Sequence, residues 1–363
     1  MSGKRKKESL AVTCVVWTLL CVGCMAVMLL FAARKTIVIA DVSQEQSGLP
    51  VNSAQEGEFV CGMELLLAAD EDMEKGFRIP LPKGVKAENV TIENRYLERE
   101  LWLYIQSREA DFYRENTVSG DLSPVVTGRS EEQEGGILLK FRMNRVLEYR
   151  STMEGNALTI AWYEPKELYD YVVVLDPAGG GGDLGLAGQG LLEKDLTLQV
   201  ARQVQKKFTG QDVRLYLTRT EDVTVRQAER LRLADEVEAD LYLGLCASAG
   251  DTPETYGISG IYNEEYFIPG FGNMELADTV TRAVTIAAGN RAVGLADADD
   301  ESLLKGLGVP AAQVSLGYLT NPQECWLMGQ ESYQEKLAEG ILNAVSEAVE
   351  ALRDKKREGE GNE

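Results

Sequence analysis

The second half of the chain opens with the sequence Val172-Val-Val-Leu-Asp176-Pro177-Ala178-Gly179-Gly-Gly-Gly182-Asp183, from which its fold can be predicted. Its first part continues an apolar run over residues 171–175, which is typical of a strand buried on both faces of a sheet. The proline and the four glycines that follow predict a sharp turn at the end of that strand. Four consecutive glycines also predict a turn with little intrinsic rigidity.

Beyond this strand, segments with apolar residues at strand spacing alternate with segments at helical spacing along residues 171–352. Further strands are predicted at residues 213–217, 241–246 and 311–316, and a helix at 226–238. Apolar residues at helical spacing predict three more helices. Together the pattern predicts an α/β fold, a sheet covered by helices. The helix stripes are Leu196, Val200, Val204 and Phe208; Leu276, Val280 and Val284, with Gly289 as a stop; and Tyr333, Leu337, Ile341, Val345 and Val349, preceded by the N-cap pair Asn321-Pro322.

Residues 58–165 have a different texture, with short apolar runs separated by glycine, proline, asparagine and charged residues. This texture predicts a small β-rich domain. Its predicted strands lie at residues 59–67, 101–105, 136–143 and 158–163, and we expect residues 121–135 to form a long exposed loop.

The N-terminus carries a basic tail, residues 1–9, before the uncharged apolar run 10–33. That run is long enough to cross a bilayer as a transmembrane helix. The basic residues favour a cytoplasmic N-terminus, with all later domains extracytoplasmic on a single-pass cell-membrane protein. A cleaved signal peptide is the alternative, although the run is long for one. Residues 36–57 are polar and predict a stalk.

The net charge of −21 argues against nucleic-acid partners, which require a basic surface. The charged tail, residues 353–363, is expected to be disordered. Three cysteines lie in the apolar run, and Cys61, Cys246 and Cys325 lie beyond it without any CxxC pair, so the spacing predicts no disulfide framework. The chain contains no histidine.

Four segments of residues 171–352 resemble the zinc-dependent N-acetylmuramoyl-L-alanine amidases. The family pattern D-P-G-H-G-G-x-D matches the strand end at 176–183, with Gly179 where the family has a zinc-binding histidine. Glu193, in Gly190-Leu-Leu-Glu-Lys-Asp195, matches the family's glutamate ligand. Cys246, in Ala239-Asp-Leu-Tyr-Leu-Gly-Leu-Cys-Ala-Ser-Ala249, stands at the second histidine. Ser315, in Pro310-Ala-Ala-Gln-Val-Ser-Leu-Gly-Tyr-Leu-Thr-Asn321, stands at the catalytic glutamate. Leu217-Thr218-Arg219 fits a further family motif.

The resemblance implies a family framework whose zinc site has lost most of its residues. A catalytic zinc needs three protein ligands and a carboxylate that takes a proton from bound water. Glu193 remains as the single family ligand, Cys246 could add a thiolate, and Asp183 is more typical of a turn residue. We therefore expect no bound cofactor, although the family uses zinc, and no catalytic residue at Ser315.

Two other sequence patterns bear on function. Gly180-x-Gly182-x-x-Gly185 matches a dinucleotide fingerprint, but no helix pattern opens directly on these glycines, so a nucleotide site is not expected. Residues 256–273 form a predicted loop with five aromatic residues that could line a ligand site, serve a partner, or simply pack the loop onto the domain. The five are Tyr256, Tyr262, Tyr266, Phe267 and Phe271.

The sequence thus predicts a membrane-anchored, catalytically inactive amidase homologue that binds peptidoglycan or regulates a cell-wall enzyme. One alternative is an active peptidoglycan amidase that cleaves the MurNAc–L-Ala bond with an altered site. A second alternative is a structural partner in a division or sporulation complex.

Overall fold

The computed structural model describes residues 62–109 and 111–360. The expected basic tail, transmembrane helix and stalk, residues 1–9, 10–33 and 36–57, lie outside the described residues. Within the described part of the chain, no helix is both long and apolar enough to cross a bilayer.

Residues 63–163 form two five-stranded sheets that enclose one apolar core. One sheet has the order β1-β7-β8-β5-β4 and the other β2-β6-β3-β10-β9. Alternating burial along β5 and β10 places one face of each sheet in this core. The strands are β1 Met63–Glu64, β2 Leu67–Ala69, β3 Phe77–Pro80, β4 Val90–Arg95, β5 Glu100–Ile105, β6 Val118–Gly120, β7 Val125–Gln133, β8 Gly136–Met143, β9 Glu148–Glu154 and β10 Ala157–Tyr163.

The expectation of a long loop at residues 121–135 is wrong, because nine of these residues form β7. β7 lies between β1 and β8, and its register pairs Ser130 with Leu139 and Gly128 with Phe141. The strand gives a weak sequence signal because its two buried positions, Gly128 and Ser130, are small, while the exposed positions after Val126 are charged or polar. Period-two apolar patterns are the main strand signal, and β7 lacks one.

Residues 165–360 form a mixed α/β unit around a six-stranded sheet with the order β14-β11-β15-β18-β16-β17. β11 pairs in parallel with β14 and β15, and β15 pairs in parallel with β18; β16 runs antiparallel to β18 and parallel to β17. The strands are β11 Tyr171–Pro177, β14 Val213–Leu217, β15 Leu241–Ser248, β16 Ile258–Tyr262, β17 Ala292–Asp297 and β18 Ala311–Tyr318, with a small hairpin of β12 Ala187–Gly188 and β13 Leu191–Leu192.

Three helices cover one face of this sheet with the predicted apolar stripes. Gly289 ends the second of them in the left-handed conformation, with φ +66°, and the Asn321 side chain accepts hydrogen bonds from the N–H groups of Gln323 and Glu324. Both predicted helix boundaries are therefore present. The helices are α1 Pro165–Leu168, α2 Glu193–Lys207, α3 Gln227–Glu236, α4 Asn273–Ala288, α5 Pro322–Met328 and α6 Glu331–Glu360, of which α2, α4 and α6 form the covering layer.

The opposite face of the sheet is closed partly by the β-rich unit. Tyr96 and Val146 join a core with residues of β11, β14, β15 and α3. The Tyr96 hydroxyl donates to the carbonyl of Leu217 at 3.1 Å and accepts from its N–H at 3.0 Å. Buried Glu148 of β9 accepts from Arg214 Nε at 2.7 Å and from the Tyr216 hydroxyl. The two units are thus joined by buried polar contacts as well as apolar ones.

The expected disordered tail at residues 353–363 is largely wrong, because α6 continues to Glu360. Arg353 pairs with Asp212 and with Glu350, and Arg357 pairs with Asp354 three residues earlier. Ion pairs at this spacing stabilise a helix surface, so the run of charged residues continues the helix.

Candidate functional site

The structure gathers the four positions singled out by the resemblance at the carboxyl edge of the parallel strands. Gly179 follows β11, Cys246 lies in β15 and Ser315 in β18, where the latter two are register partners. Glu193 is the first residue of α2. We call these four residues the rim positions. Because parallel strands end at a common edge, residues distant in sequence meet there.

Gly179 leaves no room for a side chain. Its φ is +72°, and an added Cβ would lie 2.9 Å from the carbonyl oxygen of Asp183 and 3.0 Å from Cβ of Lys194. A left-handed backbone already disfavours residues other than glycine. A side chain such as histidine would therefore require both a different backbone conformation and displacement of the first turn of α2.

The Glu193 carboxylate is buried, and backbone amides occupy both of its oxygens. Oε2 accepts from Leu186 N–H at 2.7 Å, and Oε1 accepts from Ala247 N–H at 2.8 Å. The carboxylate thus fastens the loop before α2 to the end of β15. Hydrogen bonds from amides to a carboxylate are strong, so this glutamate has a structural role in the conformation described.

Cys246 and Ser315 are buried and engaged with neighbouring backbone. The Cys246 thiol lies 3.6 Å from the Val314 carbonyl, and the Ser315 hydroxyl donates to the Gly317 carbonyl at 3.4 Å. Burial raises the pKa of the Cys246 thiol, and the nearby Glu193 carboxylate raises it further. A thiol with a raised pKa is a poor source of thiolate at neutral pH.

The residues at the rim do not fit a zinc ion. Gly179 offers no donor atom and Cys246 favours its protonated form, which leaves Glu193, whose two oxygens each already accept one backbone amide, as the single family donor. Asp183 is exposed and caps the local turn, accepting from Gly185 N–H at 3.1 Å. Throughout residues 62–109 and 111–360, no three histidine, cysteine, aspartate or glutamate side chains are grouped to hold a metal. A zinc site requires at least three such donors.

The glycine turn is held in place by specific hydrogen bonds, so the expectation of a loosely fixed turn is wrong. Gly181 N–H donates to Asp222 at 2.7 Å, and Gly182 N–H donates to the Thr224 hydroxyl at 3.0 Å. Lys194 Nζ donates to the Gly181 carbonyl at 3.0 Å and to Asp222 at 2.7 Å. The hydrogen bond from Lys194 lowers the pKa of Asp222.

The turn differs in geometry from a dinucleotide-binding turn. Gly180 and Asp183 form an isolated bridge, and the next helix, α2, begins only at Glu193. A dinucleotide fingerprint needs the helix to open on its glycines.

Beneath the turn lies a buried polar cluster, which we call the floor network. Asp176 accepts from the Tyr242 hydroxyl at 2.6 Å and also from Thr218 and Arg230. Arg219 is fully buried. Its guanidinium donates to carbonyls of Pro177, Ala178 and Lys194 at 2.8–2.9 Å, and Arg230 donates to the carbonyl of Gly179 at 2.8 Å.

Sequence reasoning quoted Asp176 and Arg219 only as parts of motifs and missed Arg230 altogether. The available signal was the Leu217-Thr218-Arg219 motif, since charged residues directly after a buried strand require partners. Arg230 gave no such signal because it lies on the helix α3, where arginine is commonplace.

The aromatic residues of 256–273 divide into two groups, and the segment is not one loop because it contains β16. Tyr262 and Phe271 pack against the core of the α/β unit. Tyr266 and Phe267 are exposed, and Tyr256 lies under the Arg291 guanidinium at 4.1 Å. The packing interpretation therefore applies to two of the five residues.

Comparison with known proteins finds similarity over the α/β unit. A family profile described as N-acetylmuramoyl-L-alanine amidase matches residues 173–347. The germination-specific N-acetylmuramoyl-L-alanine amidase of Bacillus subtilis is 29% identical over 190 residues, which is 48% of this chain and 78% of that protein. The sporulation-specific N-acetylmuramoyl-L-alanine amidase of the same organism is 30% identical over 183 residues, 48% of this chain and 67% of that protein.

Among solved structures, similarity is found to an N-acetylmuramoyl-L-alanine amidase from Clostridium difficile 630. That structure is 29% identical with a TM-score of 0.47, and the match covers 50% of this chain and 97% of that one.

Proposed function

Because residues 173–347 make this chain a member of the N-acetylmuramoyl-L-alanine amidase family, we propose that it is a catalytically inactive homologue that binds peptidoglycan or a cell-wall enzyme. The observation that carries the loss of hydrolysis is the closed rim. Glu193, the remaining family ligand, has both carboxylate oxygens bound to backbone amides, and Gly179 admits no side chain. No zinc-dependent step is assigned to residues with this geometry.

Binding without cleavage is supported by apolar side chains that are exposed beside the glycine turn. Leu184 and Val223 are 48% and 45% exposed on the two loops that flank this turn. Hydrogen bonds from Lys194 and Arg230 connect the turn to its surroundings. A surface that is already ordered pays little ordering cost on binding, which favours recognition of an extended polymer such as peptidoglycan.

The proposal includes anchoring in the cell membrane through residues 10–33, with the N-terminus cytoplasmic and both folded units outside. Its support is the apolar length of that run and the preceding basic residues. This placement would keep the surface beside the glycine turn near the cell wall. Partial proteolysis of intact cells tests it, because externally added protease should remove the folded units and spare residues 1–9.

An active amidase with an altered site remains the alternative enzyme hypothesis. It requires a metal or nucleophile arrangement different from the one described. A structural partner in a division or sporulation complex is the alternative without wall binding.

One set of measurements on the full chain in detergent separates these hypotheses. The purified chain is assayed for zinc by mass spectrometry, for release of stem peptides from cell walls, and for co-sedimentation with those walls. We expect co-sedimentation without stoichiometric zinc and without peptide release. One zinc per chain together with peptide release would establish the active alternative. Failure to co-sediment would exclude wall binding and would leave binding to a cell-wall enzyme or to a structural complex.

Leu184 and Val223 provide the matched test of where binding occurs. Leu184→Asp with Val223→Asp should reduce co-sedimentation at least about tenfold, because two apolar contacts are replaced by carboxylates. The control is Val126→Asp, which alters a valine that is 57% exposed on β7 of the other unit. Equal loss in the control and in the double variant would contradict binding beside the glycine turn.

A further inference from the structure

β17 forms an exposed edge of the six-stranded sheet. It pairs with β16 on one side only, and all six of its residues are exposed. The opposite edge strand, β14, has all five residues buried. A free edge presents unpaired N–H and C=O groups, which readily pair with another strand.

Two of the usual protections of an edge strand, charged residues and proline, are missing from the centre of β17. Ala292 to Ala296 carry no charge and no proline. Other edge strands in the described part of the chain are short, like β1 and β2 with two and three residues, or charged, like β4 and β9. Two copies of a chain with net charge −21 repel each other over most of their surface. A neutral edge is therefore where association between copies costs least.

The sequence around β17 is complementary to itself in the antiparallel direction. It reads Arg291-Ala-Val-Gly294-Leu-Ala-Asp297. With Gly294 opposite Gly294 of a second copy, Val293 faces Leu295, Ala292 faces Ala296, and Arg291 faces Asp297. Each pair occurs twice because of the twofold axis.

The charged residues also disfavour neighbouring registers. Sliding it by two residues places Asp297 opposite Val293, or Arg291 opposite Leu295. Opposed strand residues have Cβ atoms about 5 Å apart, so a charge facing an aliphatic side chain is unfavourable and an opposite-charge pair is favourable.

From this edge and its self-complementary charges, we propose that the chain forms a homodimer by antiparallel pairing of β17 with β17 of a second copy. The two six-stranded sheets become one continuous sheet across a twofold axis at Gly294.

Gly294 suits this position. Its φ is +134°, and an added Cβ would meet nothing within 4 Å. β17 contains a bulge relative to β16 between Ala292 and Gly294, which the glycine accommodates. A glycine inside a strand often marks a bulge or a place where another backbone approaches closely, and here both apply.

The charged ends are available at the surface, although each has local contacts. Arg291 Nε donates to the Tyr256 carbonyl at 3.0 Å, and Asp297 accepts from Glu264 N–H at 3.0 Å and lies 3.6 Å from Lys305. Replacing either residue alone could therefore act locally. A paired reversal distinguishes the two causes, because it restores the contact between copies and does not restore the local ones.

The test measures the mass of the full chain in detergent by light scattering, corrected for bound detergent, over a concentration series. We expect a dimer for the natural sequence. Arg291→Asp and Asp297→Arg should each raise the dimer dissociation constant about tenfold or more, because like charges then face each other twice. Arg291→Asp combined with Asp297→Arg should return the dissociation constant to near its original value.

Val293→Lys should also weaken the dimer, and the matched control Val126→Lys, on a strand of the other unit, should leave it unchanged. Register is tested by mixing Val293→Cys chains with Leu295→Cys chains, which should form a disulfide between copies more readily than either variant alone. A monomeric natural chain would overturn the proposal. So would a dimer that is insensitive to these substitutions or not restored by the paired reversal.

Discussion

The floor network and the rim positions meet at Gly179, whose carbonyl accepts a hydrogen bond from Arg230, yet they are built differently. The floor consists of charged residues that are almost fully buried, and their guanidinium and carboxylate groups are bound on several sides. The rim consists of a glycine, a cysteine and a serine with weak contacts, and of Glu193 turned to the backbone. The floor fixes the shape of the strand ends, whereas the rim side chains contact only neighbouring backbone groups.

The difference indicates which parts of such a site can change without loss of the fold. Removing one partner from a buried ion pair leaves an uncompensated charge, which strongly destabilises the folded state. Replacing a rim side chain by a smaller neutral one leaves no such charge. The framework can therefore persist while the side chains at its edge change.

The largest effect is expected from Asp176→Asn in the floor network. The asparagine keeps the shape but leaves Arg230 without its buried counterion, next to Arg219. We expect a loss of about 3–5 kcal/mol in the free energy of unfolding. Urea unfolding of the full chain in detergent, followed by far-UV circular dichroism, measures it.

Asp183→Asn is the matched control, because Asp183 lies at the rim end of the same segment and is exposed. This surface change should alter stability by less than about 0.5 kcal/mol. If both variants lost the same stability, the contrast between floor and rim would not hold.

The next effect is expected at Gly179→Ala. The added methyl group would lie 2.9 Å from the Asp183 carbonyl and 3.0 Å from Lys194, on a backbone with φ +72°. We expect a loss of about 1–3 kcal/mol. Gly190→Ala provides the control, since φ there is +86° and an added Cβ meets nothing within 4 Å. The difference between the stability losses of Gly179→Ala and Gly190→Ala measures the cost of steric crowding at Gly179.

The same crowding bears on attempts to rebuild a metal site. Histidine at position 179 adds the Cβ of alanine and a ring beyond it, so the combination Gly179→His, Cys246→His and Ser315→Glu should bind no zinc unless the start of α2 shifts. Zinc binding by that combination, measured by mass spectrometry with unchanged stability, would contradict the closed rim.

Much of the α/β unit could be predicted because its elements carry long, regular apolar patterns. The stripe of Leu196, Val200 and Val204 predicted α2, and the run at residues 171–175 predicted β11. Elements that depend on small residues or on charges were not predicted. β7 has Gly128 and Ser130 at inward positions, and the end of α6 is held by ion pairs that resemble a disordered charge run in sequence.

The rim positions could be located from sequence because short motifs surround them in the right order. Their state could not, since the backbone conformation of Gly179 and the amides that occupy Glu193 depend on the folded loop. Arg230 could not be assigned either, because its partner Asp176 is 54 residues away. Contacts over such separations leave no local pattern to read.

The smallest effect is expected from the Cys246 thiol, whose pKa is raised by burial and by Glu193. In the unfolded chain a cysteine titrates near pH 8.5, so the unfolded state loses its proton first. The stabilising contribution of the protonated thiol is fully present below about pH 8.5 and declines by about 1.4 kcal/mol per pH unit above it. The sign follows because the folded state binds more protons than the unfolded state in that range.

Cys246→Ala removes this titration. Its stability difference from the natural sequence should be constant between about pH 6 and 8 and should then shift in favour of the variant up to about pH 10, where buried tyrosines such as Tyr242 begin to contribute. Urea midpoints across this range measure the difference. A difference that stays constant up to pH 10 would mean that the thiol is not buried as a neutral group, and the rim would then be more open than its geometry indicates.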